Sequence, residues 1–198
     1  MGVNIDDNLH FSDRVSNICK KKKIKKKKKK GSSQRLGVTN RLRKLIPAKA
    51  KLQLFKAAIL PYLTYCSIVW NCCKASDSRK LERVQERALR AVYCDSISSY
   101  SDLLMRANLK TLRNRRLQDI AVLMFKVKND LWPNNIKNLF VINNNKYNLR
   151  NNDFIIPRIG TTRNGKHSLR YLGPVIWSKL DGKIRALRTL QEFKKLFE

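Results

Sequence analysis

A chain of 198 residues with 44 Lys and Arg against 14 Asp and Glu carries a formal charge of +30 at pH 7. Self-repulsion on that scale disfavours compaction unless a polyanion offsets it, which puts nucleic acid first among partners. A hydrophobic fraction of 42% excludes a wholly disordered basic tail, and five cysteines without a C-x-x-C pair exclude a disulfide-stapled secreted scaffold.

The charge is uneven along the chain. Residues 1–19 hold Arg14 against Asp6, Asp7 and Asp13, whereas residues 20–30 are ten lysines around Ile24. Residues 37–198 still carry 32 basic and 11 acidic side chains, a net of +21, so the body is basic without the lysine run. The run has three readings: a nuclear-localisation or polyphosphate-binding tract, a solvated self-repelling linker, or a translated A-rich stretch of DNA, since AAA encodes Lys and ATA encodes Ile. The expected organisation is a short first segment at 1–19, a disordered Lys-rich linker at 20–35, a helical domain at 36–140 and a loop-rich region at 141–198 with a terminal helix.

From 36 to 140 the pattern predicts helices. Pro47 suits a helix start, and residues 49–60 are good formers with Leu52, Phe55 and Ile59 on one face. Pro61 is expected to kink or end that helix, after which Leu63, Cys66 and Trp70 recur at helical spacing. Residues 57–73 lack charge, but Pro61, Thr64, Ser67 and Asn71 make them a buried core segment rather than a membrane span. Asp77 is the expected N-cap of a helix over 78–93 whose apolar stripe is Leu81, Val84, Ala88 and Ala91. Ser99 and Asp102 form a capping box before Leu103 and Leu104. The longest clean pattern is Leu117, Ile120, Met124, Val127 and Leu131, and Pro133 opens a short helical turn towards Phe140.

Beyond Val141 the texture becomes loop-rich, with an asparagine cluster from Asn143 to Asn152. Residues 154–158 are expected as a short strand and 160–166 as a turn-rich link. Residues 169–180 are apolar enough to pack despite Gly173 and Pro174. Thr189 and Glu192 form a second capping box, followed by a face of Leu190, Phe193, Leu196 and Phe197. The fold class expected is mainly α, an irregular helical bundle.

Polymerase or nuclease chemistry needs clustered carboxylates that hold two metal ions near a phosphate. Asp6 and Asp7 are the one adjacent pair, and the other acids are scattered singly. His10 and His167 lie in different regions without a nucleophile and acid beside them, and Cys66, Cys72, Cys73 and Cys94 lack the paired spacing of zinc sites. No catalytic residue, metal site or cofactor is expected. With no secretory signal pattern and no span, an intracellular location, nuclear or cytoplasmic, is expected.

A basic stripe carries the physical content. Lys80, Arg83, Arg87 and Arg90 recur at spacings of 3, 4 and 3, so they share a helix face turned about 100° from the Leu81 stripe. Such a face can follow a phosphate backbone. The competing reading is a solvated face, with Glu86 pairing Arg90 at i,i+4 and Glu82 beside them. A second cluster, Lys110, Arg113, Arg115 and Arg116, opens the long helix, where cations oppose the macrodipole and point to an external anion.

Taken in order, residues 54–70 (LFKAAILPYLTYCSIVW), 79–92 (RKLERVQERALRAV), 100–104 (YSDLL), 112–127 and 168–177 (SLRYLGPVIW) resemble the region downstream of the palm in non-LTR retrotransposon reverse transcriptases of the LINE and jockey type. Residues 190–197 (LQEFKKLF) are similar to the end of those polyproteins, and residues 2–21 to the segment that leaves the palm. In the family that segment runs directly on; here the lysine run interrupts it, in line with a translated A-rich tract. Asp6 and Asp7 follow Asn4 and Ile5 and match the post-palm segment rather than the family's catalytic motif of an aromatic residue, any residue and two aspartates. The resemblance therefore implies a thumb and C-terminal fragment without polymerase carboxylates or endonuclease, with Mg belonging to the parent polymerase alone. It implies that Lys80, Arg83, Arg87 and Arg90 hold the backbone of RNA, an RNA–DNA hybrid or DNA. The alternative is a stand-alone helical protein-interaction module with a solvated basic face.

Overall fold

The computed structural model describes residues 11–19, 46–143, 153–159 and 163–196. The Asp6–Asp7 pair, His10, the lysine run at 20–30, most of the asparagine cluster and Phe197 lie outside the described residues. The described residues are mainly helical, as the periodicity predicts. By packing, the chain divides between Arg115 and Arg116 into two compact units. The compositional change at Val141 thus does not coincide with the division by packing.

The first unit contains α1 (Ser12–Cys19), α2 (Ala48–Leu54), a π-helical turn (Phe55–Ile59), α3 (Leu60–Thr64), α4 (Ala75–Tyr93) and α5 (Tyr100–Ala107). Helix α4 is its axis, with α1, α2 and α5 packed on it. Its buried arc holds the expected Leu81, Val84, Ala88 and Ala91, widened by Gln85, Leu89 and Val92. Val15 and Ile18 of α1, Phe55 and Ile59 of the π turn, and Leu103 and Leu104 of α5 complete one apolar cluster.

Pro61 neither ends the helix nor stands in a regular one. A proline inside an α-helix clashes with the carbonyl four residues back. The preceding turn is π-helical, with the Leu60 N–H reaching the Phe55 carbonyl, and the helix runs on through Thr64. There it stops: Tyr65 leaves helical geometry at ψ 122°, and Cys66 takes a left-handed backbone at φ 52°. Leu63 and Trp70 are buried and Cys66 is exposed, so the three do not share the helical face expected of them. Trp70 is held by its Nε1–H donating to the Tyr65 carbonyl at 2.9 Å. Among the described residues no helix is long and apolar enough to cross a membrane.

Asp77 is not the N-cap. Helix α4 begins at Ala75, the cap position is Lys74 without a side-chain hydrogen bond, and Asp77 sits buried in the first turn. Ser99 does cap α5, accepting from the Asp102 N–H at 3.2 Å. Left-handed residues close the helices, with Cys94 at φ 55° after α4 and Asn108 at φ 48° after α5. These positions favour small polar residues, which explains Asn108 but not Cys94.

The division between units falls inside α6 (Leu112–Lys128). The second unit continues with α7 (Asn134–Lys137), α8 (Arg163–His167), α9 (Leu169–Ser178), α10 (Gly182–Arg185) and α11 (Leu190–Lys195). Its core is a run of rings: Phe140 on Phe154, Phe154 on Trp177, Trp177 on Phe193 and Phe193 on Phe125, with centroids 6.1, 6.0, 6.0 and 4.6 Å apart. Gly173 packs closely there: a Cβ at that position would stand 2.6 Å from the Met124 Sδ and 3.1 Å from the Phe140 ring, so the Met124 side chain would have to shift. Leu131 leaves the predicted stripe because α6 ends at Lys128 and Asp130 turns left-handed, which puts Leu131 in solvent. The strand expected at 154–158 is a single antiparallel bridge, Ile142 to Phe154, flanked by the Ile155 N–H on the Val141 carbonyl at 2.8 Å. Thr189 caps α11 by accepting from the Glu192 N–H at 3.3 Å, and Phe193 is buried while Leu196 is exposed.

Candidate nucleic-acid interface

The four cations of the stripe stand together on the outer face of α4, opposite its buried arc. They line an open groove of about 520 Å³ with Glu86 and with Cys19, the last residue of α1. Two contacts set its wall. The Ser12 hydroxyl of α1 donates to Asp77 Oδ2 at 2.8 Å, and Lys80 Nζ donates to Asp77 Oδ1 at 2.7 Å. Burial pushes the Asp77 carboxyl up, but the hydrogen bonds from Lys80 and Ser12 and the Lys80 and Lys74 charges outweigh it and leave the group below its ordinary value. Burial likewise pushes the Cys19 thiol up, against the Arg87 and Lys80 charges.

The stripe residues are not equivalent. Lys80 is tied to Asp77. Arg90 is spent within the fold: its Nε and one terminal nitrogen grip Glu86 Oε1 at 3.1 and 2.9 Å, and the other donates to the Ser96 carbonyl at 2.7 Å. Glu86 thus pairs with Arg90, as the solvated-face reading expected. Arg83 is exposed, with no acidic partner among the described residues. Arg87 is exposed too, and its Nε donates to the Arg83 carbonyl at 3.1 Å. The groove therefore offers two exposed guanidinium groups without an acidic partner among the described residues, one helical turn apart, about 6 Å along the axis.

The second cluster is dispersed. Arg116 is 4% exposed, which removes it from any surface that meets a ligand. It falls on the inward side of α6 because Leu112, Ile120 and Met124 set that side, and 116 follows 112 and precedes 120 by four. Lys110 is half-buried, with its carbonyl accepting from Gln85 Nε2 at 3.1 Å, Arg115 is half-buried, and Arg113 is exposed. The anion at the start of α6 is internal. Glu82 Oε1 accepts the Arg113 backbone N–H at 2.9 Å while its Oε2 accepts from the Tyr100 hydroxyl at 2.7 Å. A carboxylate at that end answers the macrodipole, so the cations there need no external partner.

Sequence spacing located the stripe but missed Cys19, which meets the groove only through the packing of α1 on α4. It also placed Glu82 beside the stripe, whereas Glu82 turns away to bridge α5 and α6. His167 is exposed on the short α8. Among the described residues no group of three or more His, Cys, Asp and Glu side chains is placed to hold a metal ion. No protein-family model, curated protein or solved structure matches the chain.

Proposed function

We propose that the chain is a nucleic-acid-binding element that grips phosphate backbone along α4, and that it derives from the post-palm thumb region of a non-LTR retrotransposon reverse transcriptase. The observation that carries this reading is the groove lined by Lys80, Arg83, Arg87 and Arg90 on a body already strongly basic. Guanidinium groups give charge-assisted, two-pronged contacts to phosphate oxygens, and such contacts position a strand without reading its bases. In this reading Arg83 and Arg87 make the contacts, Lys80 adds a rim charge, and Arg90 is a positioning residue that holds Glu86 and the Ser96 loop in place. No catalytic step is assigned to the chain, and Mg chemistry stays with the parent polymerase. A nuclear or cytoplasmic setting fits a partner of this kind.

The test is binding of the full chain to an RNA–DNA hybrid, a DNA duplex and a single strand over a range of salt. Affinity that falls steeply with salt and varies little with base sequence supports the reading, because each neutralised phosphate releases counterions. A second reading, a helical protein-interaction module, has its own support in the exposed Val141, Ile142, Ile155 and Ile156 beside the single bridge of the second unit. Salt-independent binding to nucleic acid, or none, would favour it.

A further inference from the structure

Lys51 and Cys94 form an unusual pair away from the groove. Lysine is almost never fully buried, yet Lys51 on α2 is 3% exposed, and its Nζ donates to the Cys94 Sγ at 3.5 Å. Cys94 is the left-handed residue that ends α4, pinned by its N–H on the Arg90 carbonyl, and its thiol points back towards the Ala91 carbonyl at 3.9 Å. Both residues stand on helices that pack together, α2 on α4. The geometry joins a primary amine that burial holds still to the sulfur of a residue that stands exposed at the end of α4. Reacting atoms held about 3–3.5 Å apart gain most of the advantage that orientation gives an intramolecular step.

We propose that Lys51 and Cys94 form a reversible covalent bridge in which one oxygen atom links the amine nitrogen to the sulfur. Dioxygen is the oxidant. The S–H bond and one N–H bond break, and S–O and O–N bonds form around one oxygen atom. The second oxygen leaves as water with the two hydrogens released. Sulfur and nitrogen each give up two electrons and dioxygen takes the four; a lysine that starts as ammonium first gives its extra proton to solvent. The product ties α2 to the end of α4 across 43 residues of sequence. Closing so long a loop removes freedom from the unfolded chain, so the bridge acts as a redox-controlled staple of the first unit. Thiol reductants cleave it, which places it on the reversible side of cysteine oxidation.

The experiment takes the reduced full chain, divides it between dioxygen-saturated and anaerobic buffer, and maps proteolytic peptides by mass spectrometry. The expected result is a linked pair of peptides containing Lys51 and Cys94, heavier than their sum by one oxygen and lighter by two hydrogens. It should be absent without dioxygen, lost on thiol reduction and absent from the Cys94→Ser variant. Cys66, also exposed, serves as the internal control and should give no lysine-linked peptide. Because Lys51 is buried, the exposed Cys94 position carries the substitution, and the wild-type comparison with and without dioxygen stands whether or not a Lys51→Arg variant folds. Oxidation of Cys94 to its oxyacids or to a disulfide with Lys51 unmodified would overturn the proposal, as would a linked Lys51 peptide that persists in Cys94→Ser.

Discussion

Removing the two uncommitted guanidinium groups of α4 gives the sharpest test of the groove. In a variant lacking residues 20–30, Arg83→Gln and Arg87→Gln together delete two charges while keeping good helix formers at both positions. Neither guanidinium has a carboxylate partner among the described residues, so the fold should lose little stability: within about 0.5 kcal/mol, as for surface changes generally. If each meets one phosphate, the slope of log K against log salt should shrink by about 1.8 on a duplex and about 1.4 on a single strand. Over a fourfold rise in salt, the duplex figure means that the variant loses about twelvefold less affinity than its parent. Arg90→Gln is the internal contrast. Its donors are already committed to Glu86 and the Ser96 carbonyl, so its loss should leave the slope unchanged and lower stability instead, by about 1–2 kcal/mol. Fluorescence anisotropy with a labelled RNA–DNA hybrid at four salt concentrations measures the slopes, and denaturant midpoints measure the stabilities. An unchanged slope in the double variant, or a change in Arg90→Gln as large as in the double, would refute the assignment of roles.

Three further outcomes follow from the contacts. Asp77→Asn should destabilise the first unit by about 1–2 kcal/mol at pH 7. The folded carboxyl lies below its ordinary value, so its contribution is present above about pH 4 and is lost as pH falls through the folded value; melts at pH 7 and pH 3 should show the gap between variant and parent closing at low pH. Glu82→Ala removes the acceptor for both the Tyr100 hydroxyl and the start of α6 and should cost about 1–3 kcal/mol, whereas Tyr100→Phe should cost about 1 kcal/mol, both read from denaturant midpoints. Trp177→Ala opens the centre of the ring run and strips Asp153 of the indole donor at 2.7 Å, so a loss of about 3–5 kcal/mol is expected in the melting of the second unit.

What the sequence disclosed tracks how local each signal is. The Leu81 stripe, the Ser99 and Thr189 caps and the basic stripe depend on neighbours three or four positions away, and the structure keeps all of them. Asp77 is the instructive failure. A capping residue and a first-turn carboxylate look alike in sequence, and what decides between them is Ser12, 65 positions away, which draws Asp77 inward. Leu131 fails for a related reason: apolar spacing carried the pattern past Asp130, whose left-handed backbone ends the helix first. Cys66 fails because the helix that carries Pro61 runs only to Thr64, after which Tyr65 and Cys66 leave helical geometry. Arg116 was misplaced because four basic residues in a row of seven hide the one whose spacing matches the apolar positions.

The distribution of carboxylates explains why so basic a chain folds and still presents uncompensated charge. Asp77 holds Lys80 and Ser12, Glu86 holds Arg90, and Asp95 accepts from Ser98, Ile97 and Arg106. The Ser98 hydroxyl, the two backbone N–H groups and Arg106 together keep the Asp95 carboxyl far below the ordinary range. In the second unit Asp153 receives both Lys128 and the Trp177 indole, and Asp130 pairs with Lys137. Each of these acids is committed to a donor of the chain itself, at a helix start, a loop or a buried rim. These acids fix backbone and loops, and Glu82 acts in the same way at the start of α6. On the face of α4, Arg83 and Arg87 stand exposed without an acidic partner among the described residues. In the proposed reading, two guanidinium groups without an acidic partner among the described residues, side by side on one groove, gain most from a ligand that brings anions in a row, as a phosphate backbone does.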